Sequence, residues 1–100
     1  MFIEGSELIP RKWAKARFRR SILDEFEHGC AYCGAKLVAG NTTLDHVKPK
    51  AGGGQTERKN LVACCAPCNG LKGAQSWKEF FRSQPFYSAD REAKIERWIR

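Results

Sequence analysis

One hundred residues with 42% hydrophobic content fit one domain, at the small end of what a hydrophobic core stabilises alone, so a covalent or metal staple is expected. No apolar run is long enough to cross a bilayer, and residues 1–10 carry Glu4 and Glu7 without the basic start and apolar run of a secretory signal, which argues for a soluble, cytoplasmic protein with no membrane partner. The formal net charge of +7 implies a polyanionic partner, and five cysteines without an export signal point to reduced thiols and metal rather than two disulfides and a spare.

Residues 10–28 read as a basic helix. Pro10 suits its first turn, and Ala14, Phe18, Ile22 and Phe26 recur every four residues as an apolar stripe running to about Glu27. Arg11, Lys12, Lys15, Arg17, Arg19 and Arg20 follow one another with no acidic residue between them, which reads either as a phosphate-tracking helix or as a solvated face. Gly29 is placed for a left-handed cap, and His28 beside it is expected to serve as a helix-end residue rather than a ligand or base. Cys30-Ala31-Tyr32-Cys33-Gly34 then forms a knuckle, with Gly34 letting the backbone turn around a metal.

Residues 37–44 read as a hairpin turning at Gly40-Asn41, with Thr42, Thr43 and Leu44 in the returning strand and Asp45-His46 at its end. Pro49 and Gly52-Gly53-Gly54 break regular structure, so a long loop leads to Asn60, and Leu61, Val62 and Ala63 make a second short strand. The second knuckle follows, and a helix begins within residues 66–73. Ser76 and Glu79 have the spacing of a capping box that opens a helix to about Phe81 or Arg82, which Pro85 interrupts. A last helix spans about Ser88 to Ile99, with Ile95, Trp98 and Ile99 as its core-facing side. No repeat, low-complexity run or linker divides the chain: residues 1–100 read as one domain, with 30–73 as the functional unit and 76–100 as flanking C-terminal helices.

Cys30, Cys33, Cys65 and Cys68 offer the four soft thiolates that tetrahedral structural zinc prefers. Cys64, the odd thiol, reads as a buried core residue, with ligand exchange against Cys65 as the alternative. Between the knuckles, the order is Leu44-Asp45-His46-Val47-Lys48-Pro49, then Gly52-Gly53-Gly54, then Asn60-Leu61, then Cys65-x2-Cys68-Asn69-x2-Lys72-Gly73. Over just under half the chain this run closely resembles the zinc-knuckle subgroup of the HNH endonuclease family. The resemblance implies an α+β fold: a small ββα-metal (His-Me finger) core with a four-Cys zinc site, flanked by N- and C-terminal helices. One departure is Asn69, which stands where the family's name places a second histidine; an amide oxygen ligates a hard cation, so metal preference changes more than activity.

Phosphodiester cleavage needs a nucleophilic water, a stabilised pentacovalent phosphate and a stabilised leaving oxyanion. An imidazole is the side chain whose ordinary range suits proton transfer near neutral pH, so His46 fits the general base, the role its equivalent has in the family. The resemblance further implies that Asp45 and Asn69 hold a catalytic Mg²⁺ or Mn²⁺, that Asn60 fixes the loop behind His46, and that DNA is cut to 5′-phosphate and 3′-hydroxyl ends. Lys72, about one turn beyond Asn69, reads either as a phosphate contact or as a plain surface lysine, with Lys48, Lys50, Arg58 and Lys59 around the loop and Arg17 and Arg20 on the basic helix expected to hold the flanking backbone. Residues 55–59 otherwise read as ordinary variable loop. A non-catalytic zinc-knuckle nucleic-acid-binding module is the rival reading, and a zinc-stapled scaffold a third. A protein partner supplying specificity is compatible with the chain, and oligomeric state is left open.

Overall fold

The computed structural model describes residues 11–100, with side chains from Ala14 onward; Pro10, expected in the first turn of the basic helix, lies outside the described residues. Strand β1 (Thr42–His46) pairs antiparallel with β2 (Leu61–Cys65), Thr42 lying opposite Cys65 and His46 opposite Leu61. All five side chains of β2 are buried, which explains why it reads as a continuous apolar run rather than an alternating one. Helix α2 (Ala66–Lys72) follows β2 without a linker, and Pro67 sits in its first turn, where the missing N–H costs nothing. Strand, strand and helix thus follow in the ββα order.

The expected hairpin over residues 37–44 is not formed. β1 finds its partner in β2, and upstream only Lys36 pairs, in an isolated bridge with Gly29. The backbone around Val38 is satisfied locally instead: its N–H donates to Asn41 Oδ1 at 3.0 Å and its carbonyl accepts from Thr42 Oγ1 at 2.7 Å. Side chains have taken the bonds a strand ladder would have made. Leu37, with its N–H bonded to the His28 carbonyl at 2.7 Å, is drawn toward the knuckle.

Helix α1 (Arg11–Glu25) ends earlier and differently than expected. Glu27 and His28, not Gly29, take left-handed backbone, with φ of 54° and 57°. This conformation costs an L-residue roughly 1 kcal/mol or more, and local bonds offset it: His28 N–H reaches the Leu23 carbonyl at 2.8 Å, and its Nε2 lies 2.8 Å from Asp24 Oδ1. The apolar stripe is also shorter than its spacing implied. Ile22 and Phe26 are buried, but Ala14 and Phe18 are exposed along with every side chain from 14 to 20. The described side chains of the first half of α1 thus lie outside the core, although Arg19 Nη2 still donates to the Thr42 carbonyl at 2.7 Å.

Helices α3 (Trp77–Arg82) and α4 (Ala89–Ile99) close the other side. Ser76 occupies the cap position of α3 without a side-chain capping bond, so the expected capping box is absent; buried Trp77, Phe80 and Phe81 hold this short helix instead. At α4 the cap is real, with Ser88 Oγ accepting the Arg91 N–H at 3.2 Å and Asp90 and Glu92 in the first turn beside the positive end of the helix dipole. Ile95 is fully buried and Trp98 and Ile99 pack against the core as expected, Trp98 Nε1 donating to the Leu61 carbonyl at 2.8 Å. No helix among the described residues is long and apolar enough to cross a membrane.

Candidate active site

The knuckles meet where β2 becomes α2. Cys30 and Cys33 come from the first turn, Cys65 from the end of β2 and Cys68 from the start of α2, and their four sulfurs all lie within 4.8 Å of one another. Sulfurs around a tetrahedral metal with bonds of about 2.3 Å stand about 3.8 Å apart. The 3.7 Å between Cys33 and Cys65 fits that spacing, and all five cysteines are free of disulfides. The donor set and geometry suit a structural metal. Cys64 stays outside this group, fully buried, with its Sγ donating to the Cys65 carbonyl at 3.3 Å.

At the end of β1 the pleat sends Asp45 inward and His46 outward. Asp45 is 4% exposed. Its Oδ2 accepts the Tyr32 hydroxyl at 2.8 Å, and its Oδ1 lies 3.3 Å from Lys72 Nζ, which also donates to the His46 carbonyl at 3.1 Å. Burial raises the Asp45 carboxyl above the usual carboxylate range, while Lys72 and Tyr32 pull it back. Burial, and then the Asp45 charge, push the Tyr32 phenol well above the usual tyrosine range, so it serves as the proton donor of the pair.

Lys72 therefore departs from its expected place. It is 1% exposed, committed to Asp45 and to backbone, and is not set on the surface for a phosphate. Cys68 and Lys72 are four residues apart on one helical face, and the cysteine's inward direction carries the lysine with it. Lys72→Ala would leave a carboxylate buried without its cation. A loss of about 3–5 kcal/mol is expected, read from urea unfolding of the metal-loaded protein.

Asn69 is oriented by its neighbours. Thr43 Oγ1 donates to the Cys64 carbonyl at 2.9 Å, so it accepts from Asn69 Nδ2 at 3.0 Å, which leaves the amide Oδ1 for a ligand. His46 Nε2 lies 2.9 Å from Thr56 Oγ1. Asp45, His46 and Asn69 line one open cleft of about 330 Å³, with Pro49, Lys50 and Gly73 at its edges. Behind it, Asn60 clamps the loop: its Oδ1 accepts the Lys48 N–H at 2.9 Å, and its Nδ2 donates to the carbonyls of Lys48 at 3.0 Å and Gln55 at 2.9 Å.

A family model of the HNH endonuclease matches residues 30–85, over half the chain and all of the knuckles, cleft and clamp just described. The chain belongs to the HNH endonuclease family. Among its relatives are two CRISPR-associated endonucleases Cas9: that of Corynebacterium diphtheriae is 51% identical over 45 residues, and that of Actinomyces naeslundii 46% identical over 54. These stretches cover 44% and 50% of this chain but only 4% and 5% of the relatives, so the chain spans a small fraction of their length. The crystal structure of the Type II-C Cas9 enzyme from Actinomyces naeslundii superposes with a TM-score of 0.67 at 29% identity, over 80% of this chain and 8% of that one.

Around the HNH core, the remaining basic residues divide into two groups. Lys48 and Lys50 are exposed beside the cleft, and Arg17 and Arg20 are exposed on α1. Arg58, also exposed, braces the fold: Nε donates to Ser21 Oγ at 3.1 Å, Nη2 lies 3.5 Å from Glu25, and the guanidinium stands 4.7 Å from the Trp98 ring centre. Lys59 Nζ donates to the Arg100 carbonyl at 3.0 Å. Residues 55–59, expected as an ordinary variable loop, hold the Thr56 partner of His46, an Asn60 acceptor and the Arg58 contacts. Sequence reasoning missed Tyr32 and Thr56. The Tyr32 signal was present, a large aromatic with a polar tip inside a metal knuckle; Thr56, in a loop with no periodicity, left none.

Proposed function

We propose that this HNH chain is a divalent-metal-dependent endonuclease that hydrolyses DNA phosphodiester bonds. The convergence of Asp45, His46 and Asn69 on one cleft carries this reading. His46 Nε2 is paired with Thr56 Oγ1; in the tautomer that carries its proton on Nε2, the ring donates to Thr56 and presents the Nδ1 lone pair to take a proton from water. Asp45 and Asn69 Oδ1 would hold Mg²⁺ or Mn²⁺, hard cations that suit a carboxylate and an amide oxygen. Bound there, the cation supplies Lewis-acid stabilisation of the phosphate and of the departing 3′ oxygen. Asn60 keeps the loop carrying Thr56 closed on His46. The four thiolates would hold zinc, a structural role separate from the cleft.

Likeness to CRISPR-associated endonucleases and the net charge of +7 support a nucleic-acid substrate. Lys48, Lys50, Arg17 and Arg20 are exposed cations in place to hold its backbone. Much longer relatives support a partner or further domains as the source of specificity, and free thiols suit a cytoplasmic setting. The match over 30–85, with Ile22, Phe26 and Ile95 in one core with β2, supports reading the described residues as one nuclease domain.

The mechanism determines the ends it leaves. Nicks made in plasmid DNA are expected to be sealed by DNA ligase without kinase or phosphatase treatment, since they carry 5′-phosphate and 3′-hydroxyl groups. Nicks that ligase seals only after end repair would contradict the proposed leaving group.

A further inference from the structure

We infer that Tyr32 is a positioning residue of the hydrolytic site, through which closure of the four-sulfur cluster sets the place of the Asp45 carboxylate. The inference rests on the reading of Asp45 as a ligand of the catalytic cation. Tyr32 lies between two sulfur donors, and its backbone is held by the knuckle. Cys30 N–H bonds to the Ala35 carbonyl at 2.9 Å, Gly34 N–H to the Cys30 carbonyl at 3.0 Å, and Arg91 Nε to the Tyr32 carbonyl at 2.6 Å. Its ring is fully buried, edge-on to Phe80 and Phe81 with centres 5.3 Å and 5.4 Å apart. A phenylalanine would fill this space without the cost of burying a hydroxyl. What the hydroxyl adds is its 2.8 Å bond to Asp45.

The second hand on Asp45 has the same origin. Lys72 follows Cys68 by one turn on α2, so both protein groups that grip the carboxylate come from segments that carry sulfur ligands. A carboxylate offers about four acceptor directions. Tyr32 and Lys72 use two, which stops the group from rotating and leaves the others for the cleft it shares with Asn69. Partners of this kind behind a metal ligand are worth about 10- to 100-fold in metal affinity.

The test is Mn²⁺ binding to the zinc-loaded protein, followed by the electron paramagnetic resonance of free Mn²⁺, for wild type, Tyr32→Phe and Asp45→Asn. Tyr32→Phe is expected to keep its zinc and circular dichroism while binding Mn²⁺ about 10- to 100-fold more weakly. Wild-type affinity in Tyr32→Phe, with Asp45→Asn impaired, would overturn the role of Tyr32 alone. Equal binding by wild type and Asp45→Asn would remove the reading of Asp45 on which the role depends, and overturn both. A second measurement needs no mutation at Tyr32. The chain has two tyrosines, Tyr32 buried and Tyr87 exposed, so 3-fluorotyrosine labelling gives two fluorine resonances. Mg²⁺ is expected to shift the Tyr32 line in wild type and not in Asp45→Asn. An unmoved line at saturating Mg²⁺ would overturn the proposal.

Discussion

Stripping the metal from the four thiolates is expected to abolish the cooperative unfolding transition of this chain. The two strands have five residues each, and a two-stranded pair alone is marginal in water. Besides the apolar core, the cluster ties them to the rest: Cys65 and Cys68 span the β2–α2 junction, and Cys30 and Cys33 bring in the segment from α1. Structural zinc binding supplies roughly 10–16 kcal/mol in small domains, as large as the entire stability of about 5–15 kcal/mol typical of a folded domain. Without it the four sulfurs have nothing to hold them together, and the knuckles have no reason to close. Circular dichroism melts after treatment with a zinc chelator should show a broad, non-cooperative loss of signal, restored by one equivalent of zinc. Cys68→Ser should behave like the stripped protein. A chelated chain that melts as sharply and as late as the loaded one would show that the helices, not the metal, carry the fold.

His46→Ala should have the opposite profile, with fold intact and chemistry lost. The side chain lies only partly buried at the cleft, bonded to exposed Thr56, so its removal creates no core cavity. The backbone position survives as well, because the His46 carbonyl remains bonded to Lys72 and the Val47 N–H to the Asn60 carbonyl. A positioned general base contributes typically 10²- to 10⁴-fold. Single-turnover cleavage of a nicking substrate should slow by about that factor, while the melting curve, zinc content and salt-dependent DNA binding stay unchanged. A variant that cuts at the wild-type rate would assign proton abstraction to another group.

How much of this was legible in the chain depended on whether the deciding interaction was local. The knuckles, β2, α2 and α4 follow from short spacings, and Asp45-His46 was expected at a strand end and lies there. The clamp by Asn60 was foreshadowed by its motif, although its three bonds, two of them to Lys48, needed coordinates. The clearest departure, the unformed hairpin, comes from competition by a distant partner. Thr42–Leu44 chose β2 over its chain neighbours because β2 is apolar on both faces. Lys72 looked exposed when measured from Asn69 and buried when measured from Cys68. The contacts of Arg58 with Glu25 and Trp98, which α1 and α4 bring beside it, left no sign in its own loop. Phe18 obeys the helical period yet lies beyond the end of the core, because periodicity sets a face and not the length over which that face is covered.

Supercoiled-plasmid conversion by the zinc-loaded protein, with Mg²⁺, with Mn²⁺ and with EDTA at a level that leaves the thiolate metal in place, is the most direct test of the cleft as a hydrolytic site. Nicked or linear product in either cation, and none in EDTA, is the predicted result. Cleavage that persists in EDTA would contradict a cation held by Asp45 and Asn69, and an inert protein that still binds plasmid would reassign the cleft to binding without chemistry.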